Sequence, residues 1–122
     1  MSKRKPWGKE SILVQTPHYV IKQLWIKAGH RLSLQYHKKK NETIFVQGST
    51  LGGGYSGICR VITHDKRGRE KFKILNPGEW MHIPRGLVHR FEATGASDVV
   101  LIECSSPQLS DLVRIEDDYG RD

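Results

Sequence analysis

Residues 78–93 read GEWMHIPRGLVHRFEA. Five residues separate Gly78 from Pro84, one separates Pro84 from Gly86, and two separate Gly86 from His89. Glycine and Pro-X-Gly each set a turn, and the residues between and after them favour strands, so the stretch reads as strand, turn, strand. His89 opens the second strand. His82 lies on the first, alternating with Trp80 and Pro84, so it faces either the interior or its outside wall.

A second stretch, LSLQYHKKKNETIFVQG (residues 32–48), has the same build. Gln35 and His37 are two apart and point to one side of a strand. Glu42 follows across a turn. Side by side, the two hairpins would present Gln35, His37, Glu42 and His89 to one point. Two imidazoles, a carboxylate and an amide oxygen suit Zn²⁺, Mn²⁺, Fe²⁺, Co²⁺ or Ni²⁺ and leave positions open for water or substrate. A lone strand histidine is more often a hydrogen-bonded structural residue than a ligand. Two such motifs together reverse that reading.

Around these stretches the chain alternates short apolar runs with Gly, Pro, Asn and Asp, and helical spacing is nearly absent. Strands are expected near 12–15, 19–26, 31–36, 43–47, 57–63, 71–75, 79–83, 88–92 and 99–104, with a last extended segment at 112–115. Turns are expected at Gly29, Asp65, Asn76–Gly78 and Ala93–Ser97. Gly48–Gly57, GSTLGGGYSG, reads as a hairpin connection in preference to a lid. Many short strands with turns between them indicate an all-β sandwich or barrel, a single domain over residues 1–122.

The net charge is +7. It favours anionic partners, and it concentrates in KRKPWGK (residues 3–9) and at Lys38–Lys40, the latter expected as a solvated loop. No basic helical face or aromatic ribonucleoprotein motif accompanies it, so nucleic acid is not an expected partner. Cys59 and Cys104 form no CxxC pair and sit in apolar runs, as reduced core cysteines of a cytoplasmic protein would. No signal peptide is visible, and no apolar run approaches the roughly 20 residues of a membrane span, so no membrane partner is expected.

The two motifs resemble the paired signatures of the cupins, jelly-roll barrels with a double-stranded β-helix. The second is matched from Gly78 to His89, with Ala93 where an asparagine is usual. The first usually carries His-X-His. Here Gln35 stands for the first histidine, and five residues instead of six separate Glu42 from Gly48. LSLQYH (32–37) is similar to the LSLQxH signature of type II phosphomannose isomerases. KPWGK (5–9) resembles that family's RPWG, and DLVRIEDDYGR (111–121) its DIVRxEDxYGR tail. The resemblance spans nearly the whole chain. In that family the cupin usually forms the C-terminal part of a bifunctional enzyme that also makes GDP-mannose; a cupin without the nucleotidyltransferase is expected to be a monofunctional isomerase or a relative with a changed substrate.

The resemblance implies one divalent metal, zinc before Mn, Co, Ni or Fe, held by Gln35, His37, Glu42 and His89. It implies conversion of mannose 6-phosphate to fructose 6-phosphate through a cis-enediol. The phosphate would be held by Arg114 and Arg121, with Lys22 and Lys27 beside them. The catalytic base stays open among His82, Glu116, Asp117 and Tyr119. Rival readings are an epimerase, a dioxygenase or a non-catalytic cupin that binds a sugar phosphate. Cupins often pair through sheet edges, so a homodimer is a further expectation.

Overall fold

The computed structural model describes residues 2–48, 56–108 and 110–121. They form eleven strands and no helix: β1 (Ser2–Lys5), β2 (Gly8–Gln15), β3 (Val20–Ile26), β4 (Leu34–His37), β5 (Glu42–Val46), β6 (Cys59–His64), β7 (Glu70–Leu75), β8 (Trp80–Ile83), β9 (Val88–Glu92), β10 (Val99–Ser105) and β11 (Leu112–Glu116). One sheet has the order β1-β2-β3-β10-β5-β8 and the other β11-β4-β9-β6-β7. All pairings are antiparallel. The all-β double-stranded helix expected from the motifs is the fold observed.

Period-2 alternation builds the interior. On β3, Val20, Lys22, Leu24 and Ile26 are buried and the residues between them half-exposed. On β10, Leu101 lies opposite Leu24 of β3 and Val46 of β5. Together with Ile44, Val61, Leu75, Ile83 and Phe91 these side chains close an apolar core between the sheets. One pleat further along, the same inward face turns polar: Glu103 lies opposite Lys22, and Ser105 opposite Glu42. The interior is therefore split lengthwise into a packed apolar end and a polar end that opens as a cavity.

Residues 2–11 differ from expectation. No strand is expected before residue 12, yet KRKPWGK lies in the β1–β2 hairpin, with Lys5 opposite Gly8. Its inward face lines the cavity and so carries lysines, which hides it from any search for apolar alternation. Gly8 permits the hairpin to close, because a Cβ there would collide with the Trp25 carbonyl oxygen of β3. Gly86, at φ 82°, makes the turn between β8 and β9. Its N–H donates to the His37 carbonyl at 2.8 Å, tying one motif hairpin to the other. The Gly48–Gly57 connection lies largely outside the described residues.

Candidate metal centre and cavity

β4, β5 and β9 deliver the cluster. His37 ends β4, Glu42 begins β5 and His89 lies in β9. Their ligand atoms all fall within 4.8 Å of one another, and all three residues are buried. Glu42 Oε1 is 3.2 Å from His37 Nε2 and 3.5 Å from His89 Nε2. Gln35 shares His37's face and is the direct cross-strand partner of His89. Its Oε1 accepts a hydrogen bond from Ser33 Oγ at 2.7 Å.

Both carboxylate oxygens of Glu42, and His89 Nε2, are buried without a hydrogen-bond partner. Orphaned buried groups of this kind cost about 1–3 kcal/mol each, more when charged, and a divalent cation between them would satisfy all three. The tautomer agrees. His89 Nδ1 lies 2.8 Å from the Leu87 carbonyl, which can only accept, so Nδ1 carries the proton and Nε2 offers its lone pair. The donor set thus fits one N/O-loving divalent metal held by His37, Glu42 and His89, with Gln35 on the same face. A bound metal would supply Lewis-acid polarisation of a substrate oxygen.

Beside the cluster lies a cavity of about 600 Å³ that reaches His37 and Gln35. Its wall carries Lys3, Lys5, Lys22, Lys40, Arg114 and Arg121 against two carboxylates, Glu10 and Glu103. Arg114 is the cross-strand partner of Gln35, and Leu112 that of His37, so β11 lays its inward face along the metal strand. Lys22 reaches Glu10 at 3.5 Å. Arg121 is gripped by Asp117 through two bonds of 2.9 Å, from Nε and a terminal nitrogen. Burial pushes the Lys5 ammonium down, against the pull of Glu10, and the charges of Lys3, Arg121 and Arg114 add to the effect. Such a crowd of cations favours an anion among them.

Lys3, Lys5, Glu10, Lys40 and Glu103 were missed as wall residues by sequence reasoning. Lys40, expected in a solvated loop, is buried and bonds Glu103 at 3.3 Å. Glu103 lies in the apolar run VVLIECS, where an inward carboxyl has no local signal; only its parity with Leu101 could have exposed it. Burial disfavours the charge of both Glu42 and Glu103. For Glu103, burial and the neighbouring Glu42 charge push the carboxyl well above the usual range.

Other expected residues lie elsewhere. Lys27 follows β3 and lines a separate outer groove with Arg4, Lys9 and Trp25. It is five residues from Lys22, and an odd step along extended chain reverses the face. His82 is exposed on the outer wall, 3.3 Å from Thr43 Oγ1. Glu116 is exposed and pairs with Arg90 at 3.9 Å. Asp117 is committed to Arg121, which holds its carboxyl down at about 2. Tyr119 packs on the core and stacks on His30. None of these last four lines the cavity. Arg90, next to His89 on β9, is buried beneath the tail, with Nε donating to the Leu32 carbonyl at 3.0 Å. Trp80 is 63% exposed, and Cys104, expected in the core, is exposed where Cys59 is buried.

Two antiparallel sheets wrapped around a His/Glu/His cluster define a cupin. Within that class, residues 2–117 match the family described as Mannose-6-phosphate isomerase C-terminal, and the chain belongs to it. It is 32% identical over 120 residues to the mannose-1-phosphate guanylyltransferase ManC of Salmonella typhimurium, covering 96% of this chain and 22% of that protein. Identity to the xanthan biosynthesis protein XanB of Xanthomonas campestris is also 32%, over 96% of this chain and 23% of the relative. The chain thus spans less than a quarter of the length of these relatives. Among solved structures, the capsular polysaccharide assembling protein CapF of Staphylococcus aureus superposes with a TM-score of 0.81 at 19% identity, over 95% of this chain and 34% of that one. The oxalate decarboxylase OxdC of Bacillus subtilis does so with 0.77 at 16% identity, over 94% and 30%. These likenesses concern the fold. No helix of the described residues is long and apolar enough to cross a membrane.

Proposed function

We propose that this cupin is a metal-dependent sugar-phosphate isomerase that interconverts mannose 6-phosphate and fructose 6-phosphate. The observation that carries the reading is a cation-lined cavity that reaches the His/Glu/His cluster. Membership of the Mannose-6-phosphate isomerase C-terminal family supports it.

The chemistry divides between the two ends of the cavity. Lys3, Lys5, Arg114 and Arg121 bind the phosphate, with guanidinium forks suited to its oxygens. The phosphate anchor sets the sugar so that C1 and C2 lie toward Gln35, His37 and Glu103. In the reaction a proton leaves C2 and one arrives at C1, while a hydroxyl proton passes from O2 to O1 through the cis-enediol, and no oxidant is consumed. Glu103, with Lys40 at 3.3 Å, is the proton-carrying group placed on the wall for these transfers. Zinc is the first choice of metal, since two imidazoles and a carboxylate are a familiar zinc set.

A coupled assay of mannose 6-phosphate isomerisation tests this, on protein stripped of metal and reloaded in turn with Zn²⁺, Mn²⁺, Co²⁺ and Ni²⁺. Turnover should return with metal and vanish in His37→Ala. Tight binding of the sugar phosphate without turnover, under any metal, would replace the isomerase with a binding module.

A further inference from the structure

Asp111 stands between β10 and β11, outside both the ligand cluster and the cationic wall. Its Oδ1 lies 3.1 Å from His37 Nδ1. Its Oδ2 accepts the backbone N–H of Lys39 at 2.7 Å and of Lys40 at 2.8 Å. The Asp111 carbonyl takes the N–H of Lys38 at 3.5 Å. One residue of the C-terminal segment therefore grips a β4 imidazole and the turn that follows it.

The two imidazoles of the cluster need the same arrangement: a protonated Nδ1 anchored elsewhere and a free Nε2 toward Glu42. For His89 the anchor is a main-chain carbonyl on the same strand, fixed by the backbone itself. For His37 it is a side chain 74 residues away in the sequence. Of the neighbouring acidic residues, Asp117 and Asp118 are bound to Arg121 and Arg31, and Glu116 faces Arg90.

We infer that Asp111 is the positioning residue of the metal centre: it receives the Nδ1–H of His37, turns Nε2 toward Glu42 and His89, and by holding the Lys39 and Lys40 amides seats Lys40 against Glu103. Outer partners of metal-bound histidines act in this way, and their removal weakens metal binding by about 10–100-fold.

The inference rests on the reading of His37, Glu42 and His89 as a metal site, and the test separates the two. Zn²⁺ is titrated against a chelating indicator for the full chain, Asp111→Asn and Asp111→Ala, with thermal melts in chelator to verify folding. The unaltered chain should bind one Zn²⁺, Asp111→Ala should bind it about 10–100-fold more weakly, and Asp111→Asn should fall between. Equal Zn²⁺ affinity in a folded Asp111→Ala overturns the positioning role and leaves the metal site standing. An unaltered chain that takes up no Zn²⁺ overturns both. A second measurement needs no variant: ¹⁵N NMR of the Zn²⁺-loaded chain should show His37 bound through Nε2 with its proton on Nδ1. Binding through Nδ1 would overturn the assignment.

Discussion

Lys22 sits between Val20 and Leu24 on the inward face of β3, and Glu103 follows Leu101 on the inward face of β10. Charged groups at such places cost stability unless paired, and these two mark where the interior turns from packed core to cavity. The pairing of Asp117 with Arg121 has a readable acid signature. Its folded carboxyl lies at about 2, below the ordinary 3.8. A depressed carboxyl stabilises the fold above its unfolded value, and that stabilisation is lost as pH falls from about 4 to about 2. Asp117→Asn should therefore lower the urea midpoint at pH 6, and the gap to the parent should close as the pH is lowered through that window. A gap independent of pH would mean the pair contributes through packing alone. The cysteines also differ at this scale. Burial pushes the Cys59 thiol up to about 12, while Cys104 is exposed. An alkylating reagent on native protein should label Cys104 alone, read by peptide mass spectrometry.

At the scale of elements, the β1–β2 hairpin is the piece that adds two inward lysines to the cavity wall. Lys3 and Lys5 face inward from β1, opposite Glu10 and Gly8 of β2. Gly8→Ala would drive a methyl group into the Trp25 carbonyl and prise the β1–β2 hairpin from β3. The fold should survive, since β3 keeps its pairing with β10, but affinity for mannose 6-phosphate should fall at least about tenfold. Isothermal titration with the sugar phosphate checks this, and unchanged affinity would remove β1 from the site. Lys5→Ala and Arg114→Ala should raise KM by about 10-fold or more with a smaller change in kcat, because a phosphate anchor holds ground state and transition state alike. The tail acts as an element too. Asp118 takes two bonds from Arg31, at 2.6 and 2.9 Å, and Arg90 lies beneath it, so β11 is clamped against the metal strand.

For the whole molecule, the interior divides into an apolar half that carries the packing and a polar half that lines the cavity. Leu101 is fully buried between β3 and β5, and Leu101→Ala should cost about 2–5 kcal/mol by chemical denaturation. The polar half should be stabilised by its ligand. A metal that binds only the folded chain adds about 2.7 kcal/mol at a hundredfold excess over Kd. The melting temperature should rise with Zn²⁺, fall back with chelator, and stay flat in His37→Ala. A rise of equal size in His37→Ala would place the metal elsewhere.

The turn glycines, the parity of Gln35 with His37 and the Pro84–Gly86 turn are local matters of backbone geometry and side-chain direction. They were legible in the sequence, and with them the all-β fold and three clustered side chains at His37, Glu42 and His89. The β1–β2 hairpin was not, because strands are usually recognised by an apolar face, and this one faces a cavity lined with lysines. Neither were Lys40 and Glu103, whose partnership joins residues 63 apart along the chain. Nor was it settled which of Lys22 and Lys27 lies inside, since their odd spacing separates the two faces without saying which one meets the cavity. The tertiary structure decided these, since whether an inward position meets apolar side chains or an open cavity depends on the strands that lie across from it.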